Sequence, residues 1–420
     1  MAASTGTGAH RRRQRLAEVA LVLGAMLLPV AGLELYLRLR GGDTRSFTQP
    51  DALLGWSYIP GARYVHEAAE DCPGWGASGV MNSFGLRDRE FPEEKDSGVV
   101  RILALGDSFT EAFQFDLERT WTKLVEQGLA ADGGGRRFEV INAGRSGMGT
   151  TLEWLYFAER GRRLGADVVL LLFVPNDFQE NSARLALATA YGPYLVPSAE
   201  GGFALDTSFL ADRDYVLRKR MTSLKRASYV VSAGLDRYKA WRAAQAAQRF
   251  AASRGKVAGK VDVAAREGLG PSWTEEDFLW VEEPAADWLE AARITQEALR
   301  RLGRDVRESG ARLVVFGGTS RIQVHPAAME ETLAAHPTWD LDRPARYIRE
   351  VAEEGGFAFH DLVPAFREAA AATDAYLHGC ERNGGEGHWS ALGHRLAADE
   401  MTGYLLRAGV LDGAESPGAE

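Results

Sequence analysis

Apolar runs of strand length alternate with amphipathic stretches of helix length along much of the chain. Residues 99–105, 138–142 and 168–174 are the first three runs, and helical stretches from Ser108 through Leu129 and over 151–164 separate them. The third run is apolar throughout, as expected for a central strand buried on both faces. The alternation lapses over 179–283. It returns with a helix over 284–309, a strand over 311–316, a helix over 339–354, a short strand over 357–360 and a closing helix over 391–407 capped by Ser390. Strand and helix in regular alternation predict an α/β fold, a parallel sheet with helices on both faces.

Four segments lie outside this rhythm. Residues 1–40 carry Arg11, Arg12, Arg13 and Arg15 ahead of the apolar stretch 19–33. Clustered arginines stay in the cytoplasm, so the remainder of the chain is expected outside it, periplasmic or extracellular. Counted as one helix, 16–39 is long enough to span a bilayer. Val30-Ala31-Gly32 is a weak cleavage site, so a retained signal anchor is expected over a cleaved signal peptide. Residues 41–98, rich in glycine, proline and aromatics, predict an irregular extension that seals an edge of the sheet. Within the main domain, 99–411, the insertion 179–283 is read as a loop over 186–202 followed by a mainly helical part over 210–254. Its Arg218, Lys219, Arg220, Lys225 and Arg226 suit a solvated helix face. Residues 412–420 are expected to be a disordered tail.

Composition narrows the function. A chain of 420 residues with 45% hydrophobic and 25% charged residues is ordinary globular material. A net charge of −9 disfavours nucleic acid as a partner. Cys72 and Cys380 lack metal-site spacing, and no His-Glu-x-x-His or Cys-x-x-Cys occurs, so no metal is expected. In an oxidising compartment the two cysteines are placed to pair, tying the extension to the loop that carries His388.

Polar residues collect just past separate predicted strands. Ser108 follows the first, Asn142-Ala143-Gly144-Arg145-Ser146-Gly147 the second and Pro175-Asn176-Asp177 the third. Glu386-Gly387-His388-Trp389 lies between the fifth strand and the last helix. In open α/β sheets ligands bind at that edge. A serine hydroxyl needs a base to become a nucleophile, and His388 is the candidate. An acid such as Glu386 would orient the imidazole, with Asp361 in reserve. The N–H groups of Ser108 and Gly147 and the amide of Asn176 would face an oxyanion. Asp107 and Asp177 are read as holding their turns, and His394 as structural. Gly144, Gly147 and Gly149 do not have the spacing of a dinucleotide loop.

Gly106-Asp107-Ser108-Phe109, Gly147 in Asn-Ala-Gly-Arg-Ser-Gly, Asn176-Asp177 and His388 resemble, in order, the four blocks of the SGNH (GDSL-type) hydrolase superfamily. The resemblance covers about 99–180 and 310–408. It implies a flavodoxin-like three-layer α/β/α sandwich and ester hydrolysis through an acyl-serine, with no metal or organic cofactor. It assigns Ser108 as nucleophile, His388 as base, and Gly147 and Asn176 as oxyanion donors. Two positions depart from it. Gly385 stands where the family has its aspartate, which leaves Glu386, in an arrangement similar to that of SGNH-like polysaccharide O-acetylation proteins. Pro175 stands where a glycine commonly precedes the Asn-Asp pair. The expectation is a membrane-anchored extracytoplasmic serine esterase acting on carboxyl esters, O-acetyl esters among them. The alternatives are an O-acetyltransferase working on a surface or cell-wall polysaccharide, and a non-catalytic binding protein on the same fold.

Overall fold

The structure, a computed structural model, describes residues 6–40, 47–67, 72, 75–186, 191–235, 237–238, 241, 279–373 and 375–412. The C-terminal tail and most of the helical reading after 241 lie outside the described residues. The chain divides into two compact units, Met1–Ser46 with Val216–Val261, and Phe47–Tyr215 with Asp262–Glu420.

The larger unit is built on five parallel strands, β1 (Val99–Gly106), β2 (Arg137–Asn142), β3 (Val168–Phe173), β4 (Arg312–Gly317) and β5 (Ala358–Asp361). Their order across the sheet is β5-β4-β3-β1-β2. Ile102 pairs with Val168 and Arg312 pairs with Val168 from the other side, so β3 is hydrogen-bonded on both edges. All six of its residues are buried.

Alternation along the strands divides the core in two. Leu103, Leu105, Val169 and Leu171 face helices α2 (Thr150–Glu159), α3 (Ala286–Glu308) and α4 (Arg343–Gly355) through Phe157, Leu299 and Ile348. Ile102, Ala104, Leu170 and Leu172 face α1 (Trp121–Asp132), α5 (Val363–Ala372) and α6 (Ala391–Arg407) through Trp121, Phe366 and Met401. The three-layer α/β/α sandwich with strand order 2-1-3-4-5 is the expected fold. The chain reverses its winding between β1 and β3, which opens a crevice at their C-terminal ends.

The extension is more regular than its composition suggested. Thr48–Asp51 pairs with Gly55–Tyr58 and Arg63–His66 with Ala77–Val80, both antiparallel. Tyr58, Tyr64, Ala77 and Met81 form a small core of their own, against which Phe113 packs. The extension also grips the turn after β1. Buried Arg87 donates to the Glu111 carbonyl at 2.7 Å, to the Phe115 carbonyl, and to the Tyr64 hydroxyl at 3.0 Å. In the insertion, a hairpin, Tyr194–Pro197 with Phe203–Asp206, starts within the stretch read as loop and ends beyond it. Its Leu195 packs on Ile294 and Ala298 of α3.

In the smaller unit the N-terminal helix runs Gly6–Arg40, and 27 residues of it, Gln14–Arg40, are long and apolar enough to cross a membrane. Near its end Glu34 accepts from Arg38 Nε (2.8 Å), Ser228 Oγ (2.8 Å) and the backbone N–H groups of Tyr229 (3.1 Å) and Val230 (3.0 Å).

Candidate active site

β1 ends in Gly106, whose φ of +151° disfavours any side chain, and a Cβ there would strike Thr110. Asp107 caps the short helix Ser108–Glu111, its Oδ1 accepting from Phe109 N at 2.8 Å. The turn presents Ser108 at the crevice.

His388 meets it. The imidazole Nε2 lies 2.7 Å from Ser108 Oγ. Burial lowers the imidazole pKa, opposed by the charge of Asp107 and reinforced by His66 of the extension. The ring is therefore neutral at pH 7, and its Nε2, when unprotonated, accepts the serine proton. Several contacts fix it. Phe109 lies against it with ring centroids 4.7 Å apart, and Gly379 N donates to the His388 carbonyl at 2.8 Å. The adjacent Trp389 is wholly buried and donates to Thr319 Oγ1 at 2.9 Å. Ser390 caps α6 through Gly393 N. Cys72 and Cys380 form a disulfide, so the loop before His388 is covalently tied to the extension.

The second polar loop is stitched to the Ser108 turn. Arg145 N donates to the Gly106 carbonyl at 3.0 Å, and Asn142 Nδ2 to the Thr110 carbonyl at 2.9 Å. A Cβ on Gly144 would collide with Thr110 and the Glu111 backbone. Gly147 has φ +69°, the left-handed region that favours glycine, and open space where a Cβ would be. Asn176 Nδ2 donates to Asp107 Oδ2 at 2.9 Å and to Glu180 Oε1 at 3.4 Å, so the third polar loop is bonded to the residue beside Ser108. Pro175 does not disturb this, because the contact is made by the side chain. Asp177 holds its turn by accepting from Val174 N at 3.0 Å.

Glu386 is placed differently. Its carboxylate pairs with Arg321 Nη1 at 2.8 Å, and the side chain is 64% exposed. Gly387, with φ +94°, turns the chain between Glu386 and His388. Gly385 has φ +80°, and a Cβ there would press on the Tyr376 ring, so the aspartate the resemblance expects at that position would be strained and would have to displace that ring. Asp361 accepts from Val363 N at 3.0 Å at the end of β5. His394 accepts from Trp121 N at 3.3 Å, and burial takes its pKa down to about 3, the state of a structural neutral imidazole.

Beside Ser108 lies a cluster of acids, of which the sequence singled out Asp107 and Asp177, as residues that hold their turns, but not Glu153 or Glu180. Burial, with Asp107 adding, pushes Glu180 up to about 8, and burial plus neighbouring carboxylates raise Glu153 and Asp177 well above the usual range. Ligand oxygens of Asp107, Asp177 and Glu180 lie within 4.8 Å of one another. The Asn176 amide bridges two of these groups and supplies the donor there. Sequence reasoning also missed Glu111 and Tyr58. A buried acid three residues after Ser108 is a polar residue on a short turn, with no periodicity to mark it as internal.

No family model matches the sequence, and neither does any curated protein. Among solved structures, an acetyl xylan esterase is similar at 13% identity over 73% of this chain and 100% of its own, with TM-score 0.37. A catalytic mutant of an acetylxylan esterase from Geobacillus stearothermophilus is similar at 14% identity over 74% and 95%, with TM-score 0.38. A protein described as a GDSL-like lipase, from Parabacteroides merdae, is similar at 13% identity over 74% and 95%, with TM-score 0.38.

Proposed function

We propose that the protein is a serine ester hydrolase of SGNH type, with Ser108 as nucleophile, His388 as base, and Gly147 and Asn176 as oxyanion donors. The contact of a half-buried, neutral imidazole with Ser108 Oγ at 2.7 Å carries the reading. Ser108 Oγ attacks the ester carbonyl while His388 takes its proton. The carbonyl oxygen becomes an oxyanion facing the backbone N–H groups and the Asn176 amide. Collapse expels the alcohol, which receives the proton from His388, and leaves an acyl-serine. Water then attacks with His388 again as base, which releases the acid and restores the serine. The charge of Asp107, which caps the Ser108 helix, favours the protonated imidazole and supports a role for it as the acid of the pair. Glu386 would serve by holding Arg321 and the loop.

The apolar N-terminal helix and the disulfide both support a membrane-anchored enzyme working outside the cytoplasm. The substrate class is a carboxyl ester, O-acetyl esters of glycans included. Transfer to a sugar hydroxyl would use the same residues, with that hydroxyl replacing water in the second step. The test uses the full-length protein in detergent. A fluorophosphonate probe should label Ser108, and His388→Ala should abolish labelling. A folded protein left unlabelled would overturn the reading and favour a binding protein. Acetylated sugar formed from an ester donor would identify transfer.

A further inference from the structure

We infer that Glu111 is a positioning residue of this site, fixing the oxyanion loop through Ser146 and fixed in turn by Tyr58 of the extension. The inference rests on Gly147 being an oxyanion donor, as proposed above.

Glu111 closes the nucleophile's own helix, Ser108–Glu111, and is 1% exposed. A carboxylate in that position is costly unless donors meet it. One oxygen, Oε1, accepts from the Tyr58 hydroxyl, and the other, Oε2, from Ser146 Oγ. The backbone N–H of Ser146 is a third donor to the carboxylate. All of the donors but Tyr58 come from the residue directly before Gly147. The main chain of Glu111 is clamped as well, because Arg87 donates to its carbonyl at 2.7 Å. A short rigid path therefore runs from Ser108, through one turn of helix, to the carboxylate and on to Ser146 and Gly147.

Geometry of this kind matters most in the transition state. An N–H aimed at an oxyanion contributes little to binding an uncharged ester and much to the rate. An ionised carboxylate accepts all three donors, whereas an amide at the same place has one acceptor oxygen and presents N–H groups of its own. Glu111→Gln thus conserves volume and removes the grip on Ser146. Loss of a merely structural contact would lower stability without separating kcat from KM.

The experiment measures p-nitrophenyl acetate hydrolysis by the full-length protein in detergent, for wild type, Glu111→Gln, Ser146→Ala and the double variant. Each single variant should lose about 10- to 100-fold in kcat with KM within about twofold. The double variant should be no slower than the worse single, since both break one link. Wild-type kcat in Glu111→Gln, a loss carried by KM, or additive effects would overturn the inference. Should Glu111→Gln fail to fold, Ser146→Ala decides: unchanged kcat overturns the inference, and a kcat loss at constant KM supports it. Fluorophosphonate labelling of the wild type separates the two levels. No labelling removes the esterase reading and this inference with it. Labelling combined with full-rate variants removes this inference alone.

Discussion

Ser108 and His388 stand 280 residues apart in the chain and 2.7 Å apart at the crevice. One is delivered by the end of β1. The other arrives on a loop braced by Trp389, by the Gly379 backbone and by the disulfide at Cys380. Replacing either side chain, Ser108→Ala or His388→Ala, should reduce ester hydrolysis by roughly 10⁴- to 10⁶-fold, with substrate binding retained. Steady-state assays with an activated ester check this. The double variant should be about as slow as either single, since the two act as one unit.

Asn176→Ala should cost about 100- to 1000-fold in kcat with KM little changed, the signature of a lost oxyanion donor. Because the amide also donates to Asp107 at 2.9 Å, the variant's melting temperature should be measured alongside.

Glu386→Gln should leave kcat within about threefold of wild type. Its ion pair with Arg321 is largely exposed, and exposed pairs contribute about 0–1 kcal/mol. A loss of several orders of magnitude would show that the carboxylate swings to the imidazole when substrate is bound.

The pH profile should show two acid-side ionisations. Protonated His388 cannot accept the serine proton, so activity falls as pH drops through its pKa, which burial holds below 6.5. Burial pushes Glu111 up to about 7, opposed by Ser146, Tyr58 and Arg87, while Arg145 also faces it. Protonation of Glu111 weakens its hold on Ser146, which adds a limb near neutrality. Glu111→Gln should erase that limb and keep the lower one, as kcat/KM measured from pH 4 to 9 would reveal.

Much of this architecture can be read from residues alone, and the exceptions have physical causes. The strands are legible because Ile102/Leu103 and Val168/Val169 show apolar side chains on both faces at strand length. The helix expected from Ser108 through Leu129 is broken instead, with Ala112 at φ +53°. Its carbonyls at Glu111 and Phe115 bond to Arg87, a partner more than twenty residues away that no local pattern reveals. The hairpin Tyr194–Pro197 with Phe203–Asp206 was hidden because Pro193 and Pro197 signal loop, whereas packing of Leu195 on α3 decides the outcome. At the site, the pairing of serine and histidine follows from motif order. The orientation of Glu386 does not, since it depends on the positive φ of Gly387.

Cys72→Ser or Cys380→Ser should lower stability by about 2–5 kcal/mol, because the bridge closes a loop of 308 residues. Thermal unfolding with and without reductant measures this, and activity should fall with it, as the Cys380 segment supports His388.

Time also enters through that bridge. The apolar N-terminal helix and Ser108 come early in the chain, while His388 and Cys380 come near its end. A nascent chain emerging across a membrane would carry Ser108 long before it carried anything to activate it. Oxidation of the last cysteine would then complete the assembly. The enzyme would pass through its own synthesis chemically silent and acquire its reactivity only on arrival.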